Sequence, residues 1–355
     1  NGYIDDVRGW DFDKNSSDPK DDFCHGTICA GIAGATTDNG IGIAGAGWNC
    51  TIMIIKTSNL FSSETAEGIK YATDNGADII SMSFGYSYPV NILKDLVNYA
   101  YDKGVFLCAS SGNGNVPLRR YPAAYTHVVA VAATNQNDER CTPQDWGSIL
   151  SGSTYGHLVD IAAPGNLIYS LTPSYHLPFN DIINPITGKN FSQNSDYVGG
   201  GSSFSCPLVA GVAALLLSVD SSLTPDEVKT LLCKNVDPYH SFHYIGAGRL
   251  NAYKALANLL SDIDITIKGG FGCLVTIQNN GNDTITANIS IVSHRIFGEG
   301  GANTTGHGPV YPHTSYGARL TAPGIQLIYA MGQVGNLTVT KKGISLFRFV
   351  FLFKE

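Results

Sequence analysis

From about residue 50 to 135 the chain alternates short apolar, β-branched runs with helical segments, and nothing else in the sequence restricts the fold as much. Thr51 to Ile55, Asp78 to Met82, Val105 to Ala109 and Val128 to Ala132 read as strands with almost no polar face. Ser62 or Ser63 can cap a helix running through Asn75 and stopped by Gly76; Val90 to Lys103 reads as a helix stopped by Gly104. Strands that are apolar on both faces and separated by helices belong to a parallel sheet covered on each side, which is an α/β architecture. Further on, Thr224-Pro225-Asp226-Glu227 carries an N-cap, a first-turn proline and a glutamate three residues later, and Asn251 to Leu260 reads as a short amphipathic helix.

Beyond Ser261 the pattern changes. Val275-Thr276-Ile277, Ile285 to Val292, Gln326 to Tyr329 and Leu337 to Thr340 are short strands divided by Asn-Gly and glycine-rich turns, as in a small antiparallel β-sandwich. The expected division is an α/β domain over 1–260 and a β-sandwich accessory domain over 261–355. The sequons Asn288-Ile289-Ser290 and Asn303-Thr304-Thr305 would be open to glycosylation outside the cell.

Composition narrows the class. The chain has 22 Lys plus Arg against 29 Asp plus Glu, a net charge of -7, which excludes nucleic-acid binding through bulk electrostatics. With 43% hydrophobic residues, wholesale disorder is excluded too. Only 14% of residues are charged and 40 are glycine, the balance of a compact, loop-rich extracellular protein. The longest apolar run, Pro207 to Val219, falls short of the roughly 20 residues a bilayer needs, so no membrane span is expected. The eight cysteines include no C-x-x-C pair, which argues against zinc; buried thiols with one or two bridges are expected.

Three distant segments carry chemistry. The first is Cys24-His25-Gly26-Thr27-Ile28-Cys29-Ala30-Gly31. The second, Ser110-Ser111-Gly112-Asn113-Gly114, ends the Val105 strand. The third, Gly201-Ser202-Ser203-Phe204-Ser205-Cys206-Pro207-Leu208-Val209-Ala210-Gly211, opens an apolar helix. Acyl transfer needs a nucleophile, a base and donors aimed at the developing oxyanion. Ser203 at a helix start has free N–H groups and the helix dipole beside it. His25 is a base near neutral pH. Asn113, on a turn at the C-terminal end of a strand, can offer a carboxamide N–H where parallel sheets place their sites.

Together these segments resemble the subtilisin-like serine protease (subtilase) family. His25 falls in that family's H-G-T-H-V-A-G motif, Asn113 in its A-A-G-N motif and Ser203 in its G-T-S-M-A-x-P-H-V-A-G motif, in the family's order. Gly40 to Gly45, Ser81 to Gly85, Tyr121-Pro122-Ala123, Ala163-Pro164-Gly165 and Gly246 to Ala252 match further landmarks, and Gly9-Trp10-Asp11-Phe12 is closest to the thermitase-like branch. The resemblance covers about residues 1 to 260. It implies a secreted serine endopeptidase acting through an acyl-enzyme on Ser203, with a polypeptide as substrate, no cofactor for catalysis and a monomeric state. Substrate would lie extended along Ser83, Phe84 and Gly85 on one side and Ser110, Ser111 and Gly112 on the other. Gly112 and Gly114 leave room for apolar or aromatic side chains. The branch has a cysteine beside the histidine, at Cys29, which implies sensitivity to mercurials.

The match is incomplete. The family's chain order is Asp, His, Ser, and no D-[ST]-G motif precedes His25; Asn1 to Phe12 already aligns after the place of the catalytic Asp. The expectation is a fragment of a longer active parent, the alternative a catalytically inactive homologue serving as a binding or attachment module. Ile28, Phe204 and Leu208 also depart from the motifs, and Thr172 to Gly199 is longer than the family's connection and could flank the cleft. By resemblance Ca²⁺ would be held at Thr37, Asn39, Ile41 and Ile43, through the Asn39 side chain and the other three carbonyls. A second site at Asp11 is not expected, because Lys14, Ser16 and Lys20 replace ligands there.

Overall fold

The computed structural model describes residues 2–57, 62–147, 149–173, 196–261, 263–268, 270–271, 273–280, 285–295, 301–320, 325–334, 337–346 and 349–352. The connection 174–195, and with it most of the long segment before the serine motif, lies outside the described residues. The chain forms two compact units, one of Asn1–Leu217 with Ser222–Ala255 and the other of Ser218–Ser221 with Leu256–Glu355.

In the first unit the order is β1 (Trp10–Asp11), α1 (His25–Gly34), β2 (Ile55–Lys56), α2 (Ser62–Asp74), β3 (Ile79–Met82), α3 (Asn91–Asp102), β4 (Phe106–Ser110), β5 (Val129–Thr134), α4 (Pro143–Trp146), β6 (Ile161–Pro164), β7 (Ile168–Leu171), β8 (Asp196–Gly199), α5 (Ser202–Val219) and α6 (Pro225–Lys234). Strands β3-β4-β5-β6 form a parallel sheet in that order. Every residue of β4 and β5 is buried, as strands covered on both faces must be. Leu93, Val97 and Ala100 of α3 pack with Met82, Leu107, Ala109, Val128 and Ala130 on one face of this sheet. Helix α6 begins with the capping box read from the sequence: the Glu227 N–H donates to Thr224 Oγ1 and Glu227 Oε2 accepts from the Thr224 N–H.

The Thr51 to Ile55 run is shorter as a strand than its composition suggests. Only Ile55–Lys56 pair, in parallel with Trp10–Asp11, and this two-stranded sheet is separate from the four-stranded one. Ile52, Met53 and Ile54 remain 38%, 37% and 45% exposed. Helix α2 nevertheless lies over both pieces. A Cβ on Gly68 would stand 2.8 Å from Ile55 Cγ2, while the next residue, Ile69, packs with Met82 of β3. The parallel sheet is thus interrupted between β2 and β3, under one continuous helix.

Helix α5 is apolar all round and most of its residues are buried, the condition of a core helix, although its length and composition alone would suit a membrane span. All eight cysteines are free thiols. The bridges expected from the sequence are absent; Cys108 and Cys206 come to 3.6 Å, beyond the roughly 2.05 Å of a bond.

Helix α7 (Ala252–Ser261) contains the division between the units. The second unit is antiparallel: β9 (Ile263–Lys268), β10 (Gly270–Phe271), β11 (Cys273–Asn279), β12 (Ile285–Arg295), β13 (Gly301–Val310), β14 (Ser315–Leu320), β15 (Ile325–Val334), β16 (Leu337–Leu346) and β17 (Phe349–Leu352). They make a six-stranded sheet, β10-β17-β16-β15-β12-β13, and a three-stranded one, β14-β11-β9. Alternate residues of β11 (Cys273, Val275, Ile277) meet Ala287, Ile289 and Ile291 of β12 in one core, which is the period-two pattern of strands with one buried face. The sequon residue Asn288 is hydrogen-bonded to His307 across the β12–β13 pair, whereas Asn303 is exposed.

Candidate active site

Ser203 is the second residue of α5, and the helix start is held by four hydrogen bonds. The Gly201 N–H donates to Gly165 O at 2.8 Å. The Ser202 N–H and hydroxyl both donate to Asn113 Oδ1, at 2.9 and 2.7 Å, and Ser202 Oγ accepts from the Gly112 N–H at 3.1 Å. Ser202 is fully buried, so these bonds tie the helix start to the turn after β4. One of the unsatisfied N–H groups that any helix presents at its N-terminus is thereby taken by Asn113.

The orientation of Asn113 follows. With Oδ1 committed to Ser202, Nδ2 faces the other way. A Cβ added to Gly201, whose φ is +154°, would stand 3.2 Å from Asn113 Nδ2 and 3.8 Å from the Ser203 nitrogen. Two donors therefore border one small space that is open because residue 201 lacks a side chain.

The Ser203 carbonyl is shaped by a residue one turn on. Pro207 has no N–H, so the helical bond it would give Ser203 O is missing. Ser83 Oγ supplies one donor to that oxygen at 2.6 Å and Cys29 Sγ another at 3.4 Å. In return, Ser203 Oγ donates to Ser83 O at 3.1 Å. The strand end after β3 and the start of α5 are thus joined by a reciprocal serine pair.

His25 opens α1, and Cys29 follows it one turn later on the same face. Cys29 Sγ stands 4.0 Å from His25 Nδ1 and 3.4 Å from Ser203 O, so one sulfur lies between the imidazole and the serine residue. The His25 ring is 5.9 Å from that of Phe204, centroid to centroid. The Ser203 hydroxyl donates to Ser83 O, not to the imidazole. Burial lowers the His25 pKa, partly opposed by the charge of Asp21. Burial pushes the Cys29 thiol up to about 12. Among the described residues His25 forms no ion pair with a carboxylate. Asp21 is engaged elsewhere, accepting from the Phe23, Cys24 and Thr27 N–H groups and from the Thr27 hydroxyl.

Ser83, Phe84 and Gly85 follow β3, and Ser110, Ser111 and Gly112 lie at the end of β4, so both segments leave the sheet at its C-terminal edge. Sequence reasoning missed Arg120, whose stem runs beside Gly85 and Gly112. The signal was the Arg119-Arg120 pair just before Tyr121-Pro122. It also missed Trp146, whose indole packs on Gly200: a Cβ there would meet its Nε1.

The loop Thr37 to Ile43 is an exposed turn, with Asp38, Gly40 and Gly42 at positive φ. Asn39 Oδ1, its expected side-chain calcium ligand, accepts from the Ile41 N–H at 2.9 Å, and Thr37 Oγ1 donates to Trp48 O. Ca²⁺ takes six to eight oxygens. In the expected set the four residues offer four oxygens, three backbone carbonyls and one carboxamide already accepting within the turn, and among the described residues no group of three His, Cys, Asp or Glu side chains is assembled. These residues do not fit a complete calcium cage. At Asp11 a lysine does the balancing: Lys56 Nζ lies 3.0 Å from Asp11 and 2.9 Å from Asp22, and the Asp13 and Lys14 N–H groups complete the buried carboxylate.

The parallel sheet with flanking helices, and a serine-bearing helix start at its C-terminal edge, make this a subtilisin-like α/β fold. The chain belongs to the subtilase family: the family model Peptidase_S8 matches residues 1–258. It is 38% identical over 256 residues to thermitase of Thermoactinomyces vulgaris, covering 70% of this chain and 81% of thermitase. It is 33% identical to subtilisin DY of Bacillus licheniformis, over 70% of this chain and 83% of that protein. Among solved structures, a protease of Pseudoalteromonas arctica aligns with a TM-score of 0.53 and 28% identity, over 66% of this chain and 70% of that one. These relatives place the chain in the thermitase-like branch and relate it to serine proteases.

Proposed function

We propose that the chain carries the peptide-hydrolysing machinery of a secreted serine endopeptidase. Ser203 Oγ attacks the scissile carbonyl, His25 takes its proton and later returns it to the leaving amine, and Asn113 Nδ2 with the Ser203 N–H holds the oxyanion. The observation that carries this reading is the pair of donors bordering one opening beside Gly201. The Ser203 hydroxyl must turn from Ser83 O towards the imidazole, a rotamer change; such bonds often tighten only when substrate is bound. Substrate is a polypeptide lying extended between Ser83–Gly85 and Ser110–Gly112. No cofactor takes part in the chemistry, and the working unit is a monomer.

Among the described residues His25 has no carboxylate partner of the kind that fixes the tautomer in such sites, and a wrong tautomer costs about 10⁴-fold in the known serine example. The interrupted sheet, with Ile52 to Ile54 exposed beside β2, supports a missing strand that would bring that carboxylate, hence a fragment of an active parent. The bare His25 also favours the second reading, an inactive homologue that binds polypeptide without cutting it.

Hydrolysis of a peptide anilide with and without molar formate separates the two. Formate can stand in for the carboxylate at His25. The protease reading predicts slow turnover that formate raises, and none in Ser203→Ala or His25→Ala. Turnover indifferent to both substitutions, or none even with formate, favours the binding reading.

A further inference from the structure

Resting on the protease reading, we propose that Arg120 makes this cleft select a substrate with an acidic side chain, Asp or Glu, on the acyl side of the cut bond. Gly112 and Gly114 bracket Asn113, so the slot they border opens within one residue of the carbonyl bound at the oxyanion donors. Gly85 borders it from the other segment. The Arg120 side chain lies along all three glycines. A Cβ on Gly85 would be 3.4 Å from Arg120 Cβ; one on Gly112 would be 3.0 Å from Cγ and 3.6 Å from Nε; one on Gly114 would be 4.0 Å from Nη2.

The backbone fixes this placement. Tyr86 and Tyr121 exchange hydrogen bonds of 2.7 and 3.0 Å, which sets Arg120 beside Gly85, and Arg120 O accepts from the Ala124 N–H at 2.8 Å. Nη1 donates to Ser87 Oγ. Nε and Nη2 are left on the glycine side. Thr154 Oγ1, 3.1 Å from the same Gly112 Cβ position, adds a hydroxyl to that wall. Among the described residues neither Arg119 nor Arg120 has an acidic partner, whereas Arg249 pairs with Asp138 and Asp237. A half-buried guanidinium with its charge unbalanced and a fork of donors free is matched by a carboxylate in shape and sign. Its stem also takes the volume that an aromatic ring would need beside Gly112. The glycines alone suggest an apolar pocket; the arginine across them reverses that preference.

The test reads binding, independently of turnover. Fluorescein-labelled tetrapeptides Ala-Ala-Pro-Glu, Ala-Ala-Pro-Gln and Ala-Ala-Pro-Leu share the same terminal carboxylate and mimic the acyl-side product. Fluorescence anisotropy with the intact chain should show the glutamyl peptide binding about tenfold tighter than the glutaminyl one, the scale of one charge-assisted contact partly open to water. The preference should shrink as salt is raised. Arg120→Gln should bring the ratio to about one, and Arg120→Lys should keep part of it. Should Arg120→Gln fail to fold by circular dichroism, the lysine variant and the salt series on the unaltered chain decide. Equal or undetectable binding of the three peptides, a tighter leucyl peptide, or a ratio unmoved by salt and by these substitutions overturns the proposal. Acid preference without any peptide hydrolysis would sink the protease reading and leave this one; hydrolysis without acid preference would do the reverse.

Discussion

Asn113 does two jobs with opposite ends of one carboxamide, and two substitutions separate them. Oδ1 accepts from the buried Ser202 N–H and hydroxyl, and Nδ2 borders the space beside Gly201. Asn113→Asp keeps an acceptor at Oδ1 and replaces the Nδ2 donor with an oxygen. Asn113→Ala removes both. Loss of one oxyanion donor costs about 10²–10³ in rate, on the order of 3 kcal/mol, so both variants should acylate that much more slowly. Stability should part them. In Asn113→Ala the buried Ser202 donors lose their acceptor, at about 1–3 kcal/mol; Asn113→Asp should stay within about 0.5 kcal/mol of the unaltered chain. The assays are urea unfolding followed by tyrosine and tryptophan fluorescence, and the rate of adduct formation with a fluorophosphonate. The reasoning is refuted if Asp and Ala unfold together, or if the Asp variant acylates at the unaltered rate.

Other outcomes follow from burial and charge. Because burial lowers the His25 pKa, its deprotonated form persists below the ordinary value of about 6.5; the acid limb of kcat/KM should fall below that pH. The same shift has a folding consequence: the unfolded chain binds the proton first, so stability is full above about pH 6.5 and declines as pH drops towards the lowered value. An NMR titration of His25 checks both, and a midpoint above 6.5 contradicts them. The Cys29 thiol, pushed up to about 12, should resist iodoacetamide at pH 8 in the folded chain yet react once unfolded, by peptide mass mapping. A mercurial that does reach it sits between His25 and Ser203 and should stop acylation, and Cys29→Ser should abolish that sensitivity. Lys56→Met leaves Asp11 buried without its cation and should cost about 3–5 kcal/mol in urea unfolding; a loss under 1 kcal/mol would show the pair to be hydrated.

Much of this was legible in the residues. The buried strands β4 and β5 read correctly because both faces are apolar, and α6 because its capping box is local. The three chemical segments could be found because each is a short motif with its own turn or helix start. What the sequence did not disclose depends on long-range contact. Thr51 to Ile54 has strand composition, yet pairing needs neighbours, and among the described residues β2 pairs with β1 alone. The strand Gly301–Val310 was missed because its glycines and Thr-Gly-His-Gly texture read as turn, while β12 beside it supplies the ladder. The role of Pro207 could not be seen without Ser83 and Cys29, which meet the carbonyl it frees. Arg120 carries no motif of its own; the Tyr86–Tyr121 pair sets it across three glycines from two other segments.

The claim on which the rest depends is that Ser203 is the nucleophile and His25 its base. Prolonged exposure of the folded chain to a biotinylated fluorophosphonate, followed by mass spectrometry of the proteolytic peptides, tests it directly. The account predicts one slow adduct, on Ser203, lost in His25→Ala while circular dichroism stays unchanged. An adduct on a different serine, or on Ser203 at the same rate without His25, would contradict it.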